Sequence, residues 1–171
     1  MSHDVAADLE SLAQRACRMG AHAAKVIEAA SIATAPWVRL RCQYGCGGYN
    51  RTLCCPPYTP TPEETRRVAD SYRHAILVHC KPGANVKELV VALEREVFLA
   101  GFYKAFALGA GPCGLCDECN LENCAHPEQA RPAMEACGVD VFATARANGF
   151  PIEVVTDATC EQNYFGVVLV D

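Results

Sequence analysis

The sequence predicts an α/β fold: a single domain on a mixed sheet of about five strands, with flanking helices and two cysteine-rich loops that meet at one end. Three observations predict it. An apolar run at 75–80 is followed by a helical pattern over 85–100 and a second apolar run at 105–108, the spacing of a strand–helix–strand unit. Two more apolar runs, 152–155 and 165–170, read as the last strands. The chain has 171 residues, of which 51% are apolar, enough for a proper core and too apolar for long disorder.

Taken in order, Leu9, Leu12, Ala13, Ala16 and Cys17 recur at helical spacing and predict an amphipathic helix over 4–18, ended by Gly20, with Cys17 as a core thiol. Residues 23–35 fit helix through their alanines or strand through Val26, Ile27 and Ile32; Pro36 ends either. The working expectation for 1–35 is a helical segment packed on the domain. Residues 37–41 alternate apolar and basic, which predicts a short half-exposed strand. Thr61-Pro62-Glu63-Glu64 is a helix start with an N-cap, a proline at the first position and an acid at the third, for a helix to about Tyr72.

Asn85 and Glu88 make a similar start for the helix to 100, whose apolar face is Val86, Leu89, Val90, Leu93 and Val97, with Gly101 as its stop. The strand at 105–108 completes a unit whose crossover should be right-handed. It delivers the chain through Gly109 to Pro112 into a cysteine loop at the carboxyl end of a parallel strand, the edge where open α/β sheets hold ligands. Pro127 and Pro132 permit only short turns, 139–147 reads as a helix closed by Asn148-Gly149, and 156–164 reads as a loop.

The chain carries 12 cysteines. Cys113, Cys116, Cys119 and Cys124 fall within twelve residues, and the C-x₂-C-x₂-C start lets one tight turn aim three thiolates at a single centre, as in a [4Fe–4S] site. With four residues after Cys119, Cys124 has room to close the same centre; a ferredoxin's shorter last spacing sends its fourth cysteine to a second cluster instead. Zinc is the alternative, although its structural sites favour two separated C-x₂-C knuckles. Disulfides fit least, because a chain with a core does not need them. Its first thirty residues mix acids and bases among the apolar positions, so they resemble neither a secretion signal nor a membrane span, and the expectation is a reducing cytoplasm with no membrane partner. A net charge of −5 and the lack of a basic run argue against nucleic acid.

A second group, Cys42, Cys46, Cys54 and Cys55, lies in a glycine-rich stretch ending in Pro56-Pro57. Adjacent cysteines point apart, and the proline after Cys55 favours it over Cys54 as a ligand, as after a ferredoxin cysteine. Cys17, Cys80, Cys137 and Cys160 read as structural thiols, with Cys137 the best candidate for a remote ligand. His126 is a turn residue or a metal ligand, and Arg131 a solvated arginine or a counter-charge for thiolates. Tyr44, Tyr49 and Tyr58 read as packing.

The segments R-C-Q-Y-G-C-G-G-Y, C-P-P-Y-T-P-T-P-E-E-T and C-G-L-C-D-E-C…C-A-H-P-E-Q-A-R-P-A-M-E-A-C-G-V-D-V-F resemble the DUF2284 family of predicted metal-binding proteins, over roughly 38–155. The resemblance implies a metal or iron–sulfur role in a cytoplasmic setting, typically in anaerobes, and names no reaction. Carried onto this chain, it points to Cys42, Cys46 and Cys55, and to Cys113, Cys116, Cys119 and Cys124; Cys54 lies outside the matched pattern.

Three functions follow as expectations. The first is an electron-transfer protein or redox subunit with one or two [4Fe–4S] clusters and a redox partner protein. The second is an enzyme whose three-cysteine cluster leaves one iron open to a small-molecule substrate or sulfide. The third is a structural zinc protein. No serine–histidine–acid set, phosphate loop or dinucleotide fingerprint identifies catalytic residues.

Overall fold

The computed structural model describes residues 5–171. In chain order the elements are helix α1 (Val5–Arg18), strand β1 (Ala23–Glu28), helices α2 (Trp37–Gly45) and α3 (Pro62–Asp70), strand β2 (His74–Cys80), helix α4 (Val86–Leu99), strand β3 (Phe106–Leu108), helix α5 (Val141–Ala147) and strand β4 (Tyr164–Leu169). Short 3-10 turns cover Ala29–Ser31 and Glu135–Cys137. The expected start of the first helix, Asp4, lies outside the described residues.

The sheet has four strands in the order β1-β2-β4-β3, and every neighbouring pair is antiparallel. This corrects the mixed sheet of about five strands. β2 and β3 do run parallel around α4, as the strand–helix–strand spacing implies, but β4 is inserted between them, His79 opposite Phe165 on one side and Leu108 opposite Val167 on the other. Insertion of a strand from the far end of the chain is nonlocal and leaves no mark on the spacing of the unit it splits. Residues 152–155 form no strand: Ile152 packs in the core while Val154 and Val155 stay exposed.

Residues 23–28 take the strand alternative and form the edge strand β1, so the N-terminal segment is not wholly helical. Residues 37–41 are the start of α2 rather than a strand. Five alternating residues do not distinguish the two periods. Tertiary contact settles it: Arg39 leaves α2 and donates to the carbonyls of Thr59 (2.9 Å) and Pro60.

Side-chain alternation on β2 divides the core. Ile76, Val78 and Cys80 face α1 and α4, with Leu9, Leu12, Val90 and Leu93; Ala75 and Leu77 face the opposite layer, with Met134, Cys137, Val139, Ala145 and Phe150. Full burial of a side chain such as Leu93 contributes about 1.5–3 kcal/mol. The expected caps are present. Thr61 and Glu64 form a reciprocal capping box on α3, and Asn85 accepts from the Glu88 amide at 3.2 Å on α4. Cys17 is exposed, not a core thiol; Ala16 takes the buried position. No described helix is long and apolar enough to cross a membrane.

Candidate metal centre

The last turn of α2 carries Cys42, and the chain then folds back on itself through hydrogen bonds that its own turn residues make. The Asn50 amide donates to the Pro56 carbonyl (2.8 Å), Cys55 to Thr52 (3.0 Å), and the Tyr58 hydroxyl to the Asn50 side chain (2.8 Å). Inside this loop the Gly48 amide donates to the Cys46 sulfur at 3.4 Å. A Cβ on Gly48 would lie 3.5 Å from both the Cys46 and Cys55 sulfurs and 3.6 Å from Cβ of Pro112, so the two thiols and the second segment converge there. The Cys42 sulfur lies 3.9 Å from the Glu135 carbonyl oxygen. Burial pushes the Cys42 thiol up, and the neighbouring Cys46 and Cys55 add to the effect, so the three form one electrostatic group.

The second segment leaves the end of β3 and is clipped at its base, where the Gly109 amide donates to Pro132 (2.8 Å) and the Met134 amide to Gly109 (2.9 Å). Within it, the Asn120 side chain accepts from the amides of Glu122 (2.9 Å) and Asn123 (3.3 Å) and reverses the chain between Cys119 and Cys124. Cys113, Cys116, Cys119 and Cys124 line one small hollow together with Thr52, Cys54 and His126. Cys54 therefore belongs with the second segment. Its thiol is pushed up to about 12 by burial first and then by the charge of, and hydrogen bond with, Cys113. The Cys116 thiol is also raised, by desolvation and then by Cys119, Cys113 and Cys124.

The Glu135–Cys137 turn braces the first segment and the start of α3. Besides the contact with Cys42, Thr59 Oγ1 donates to the Ala136 carbonyl, Thr65 Oγ1 to Cys137 (2.6 Å) and the Ala35 amide to Gly138 (2.9 Å). Cys137 itself is buried among apolar side chains, and burial pushes its thiol up to about 12. Cys80 is likewise fully buried, while Cys160 sits in the 156–162 loop beside Thr156 and Asp157, away from both hollows. Arg131 is not solvated: two nitrogens grip both oxygens of Glu94, at 2.7 and 2.6 Å. Tyr44 is 78% exposed, whereas Tyr49 lines a cavity.

That cavity, about 840 Å³, opens beside the first group and is walled by Cys42, Cys46 and Cys55, by apolar side chains from Trp37, Val141, Phe142, Ile152 and Phe165, and by the charged Arg41, Glu135, Asp140, Arg146 and Glu153. Its size and mainly apolar walls suit a small-molecule site. Glu135 is open to the cavity's solvent yet enclosed by protein on most sides, and that desolvation raises its carboxyl above the usual range.

A sulfur-only donor set suits soft or borderline metals and iron–sulfur cores. Two buried donors without partners lie beside the second hollow, Thr52 Oγ1 and Lys87 Nζ. Hydrogen-bond and charge donors are what an anionic thiolate-held centre recruits around itself, so the residues present fit such a group. Among the described residues, no three Cys, His, Asp or Glu side chains close on a single ion; the thiols ring the hollows instead. Lys87 and Glu135 were not legible as site residues. The one signal for Lys87 is a cation in the first turn of a helix, where the dipole disfavours it.

An antiparallel α/β sheet with two thiol-lined hollows beyond its edge defines a cysteine-rich metal-binding class of protein. The chain belongs to the DUF2284 family, described as predicted metal-binding protein, whose sequence model matches residues 25–170. No curated protein and no solved structure matches the chain.

Proposed function

We propose that this is an iron–sulfur protein whose second-segment centre, on Cys113, Cys116, Cys119 and Cys124, serves electron transfer to or from a redox partner protein. The observation that carries the reading is that all four thiols of the C-x₂-C-x₂-C-x₄-C segment line one hollow, with Cys54 on its wall beside them. Cys116 is exposed, which suits exchange of an electron with a docked protein. A thiolate-held iron–sulfur core supplies reversible one-electron chemistry when bound. The chain's own contribution is the ligand turn, the Cys54 thiol and the unpaired donors Thr52 and Lys87, which bear on the core's potential through hydrogen bonding and charge.

The first group favours a second role in the same molecule. Cys42, Cys46 and Cys55 are three thiols on the wall of an 840 Å³ cavity, the number that leaves one metal position for a small-molecule ligand. On the cavity wall, Arg41 and Glu135 offer opposite charges for orienting a ligand.

The test is metal and sulfide analysis of anaerobically purified protein. Iron with equimolar acid-labile sulfide and a broad visible charge-transfer band supports the reading. Stoichiometric zinc without iron or sulfide makes the protein a structural zinc protein and overturns it.

A further inference from the structure

A half-buried lysine with a buried ammonium stands beside both cysteine groups. Lys87 is the second residue of α4, and its stem passes over Gly109: a Cβ there would meet Lys87 Cγ at 2.8 Å and Cα at 3.4 Å. Absence of that Cβ lets the side chain lie along the protein instead of reaching solvent. The Nζ at its end is buried and has no hydrogen-bond partner. The groups acting on it are the thiols of Cys113, Cys54 and Cys55, in that order, so members of both hollows and no carboxylate.

An ammonium that is desolvated and unpaired costs stability. Surface lysines avoid that cost by extending into water, and this one is held away from water by the close passage over Gly109. Thiolates outnumber the charge of the metal core they hold, so a loaded centre is anionic. We propose that Lys87 is the shared counter-charge of the two cysteine groups: a positioning residue that destabilises the metal-free protein and is compensated when the thiols hold metal. The inference rests on the reading of these thiols as metal-holding, and not on the metal being iron.

Cobalt(II) serves as the probe, since thiolate ligation gives it a charge-transfer band that reports binding under anaerobic, reducing conditions. Lys87→Met is close in shape and uncharged, Lys87→Gln is a second uncharged variant, and Lys87→Arg keeps the charge. For both uncharged variants the expected result is a metal-free melting temperature raised by about 2–4 °C, together with Co(II) affinity weakened roughly tenfold or more. Lys87→Arg restores affinity relative to Lys87→Met. Affinity within about twofold of wild type in both uncharged variants overturns the proposal, whatever the melting temperature does. A fall in both quantities, with Lys87→Arg no better than Lys87→Met, marks a merely structural residue and overturns it as well. Failure of the iron–sulfur reading shows elsewhere, as missing iron and sulfide in the wild-type protein.

Discussion

Cys54 and Cys55 are neighbours in the chain and face different hollows: Cys54 lines the second hollow beside Cys113, while the Cys55 sulfur lies across Gly48 from that of Cys46. The pair is thus the shortest covalent link between the two groups of thiols. It also separates their chemistry, because the second hollow has five thiols around it and the cavity wall has three.

The two positions should therefore respond differently to substitution. Cys55→Ala is expected to abolish the iron and EPR signal of the cavity group and to spare the second segment. Cys54→Ala should leave the iron count unchanged and shift the midpoint potential of the second-segment centre through the lost thiol beside Cys113. Iron counting with reduced-state EPR of both variants checks this, and loss of the same signal in both would assign Cys54 and Cys55 to one centre.

Much of this was legible in the sequence where the signal was local. The capping pairs Thr61/Glu64 and Asn85/Glu88 start their helices as expected, and the run at 75–80 lies in strand β2. Cys113 to Cys124 lie close in sequence, so one turn gathers them and spacing alone brings them to one hollow. What could not be read depends on distant chain. Cys54 sits with Cys113 because Pro112 packs against the Gly48 turn, and β4 enters the sheet from residues 164–169. Lys87 looks like any lysine on an amphipathic helix until Gly109, 22 positions on, is seen beneath its stem.

Alkaline pH should unfold the metal-free protein partly through Cys137. Burial raises its folded pKa to about 12, above an unfolded thiol's value of about 8.5. The group's contribution to stability is therefore fully present below about pH 8.5 and is lost as the pH rises toward 12. Cys137→Ala should cost about 1–2 kcal/mol at neutral pH through the lost packing and flatten the alkaline decline. Urea unfolding between pH 7 and pH 10 measures both, and parallel pH profiles for the variant and the wild type would contradict the assignment.

Glu94 holds β3 as well as Arg131. One of its oxygens accepts from the Ala107 amide at 2.7 Å and from Arg131 Nε at 2.7 Å, the other from Arg131 Nη2 at 2.6 Å. The two side chains are only 13% and 15% exposed. Glu94→Ala leaves a mostly buried guanidinium without its counter-charge and should cost about 3–5 kcal/mol, with faster amide exchange at Ala107. A double-mutant cycle with Arg131→Met separates the pair from the strand contact: the second substitution should recover part of the loss.

Gly138 is where the turn that supports Cys42 meets the start of α3. Its φ is +77°, a conformation that side chains disfavour, and a Cβ there would sit 2.4 Å from Pro62 Cγ and 2.8 Å from Pro62 Cα. The second contact is with backbone, so no rotamer change relieves it. Gly20 provides the control, with φ +112° and nothing within 4 Å of a built Cβ. Gly20→Ala should cost about 1 kcal/mol, the strain alone, whereas Gly138→Ala adds overpacking of about 1–3 kcal/mol. Because the turn packs against α2, which carries Cys42, Gly138→Ala should also weaken metal uptake at the cavity group, which Gly20→Ala leaves unchanged. Urea unfolding gives the first comparison and Co(II) titration the second. Equal losses of stability in the two variants would mean that Pro62 yields, and that the turn is not fixed by this contact.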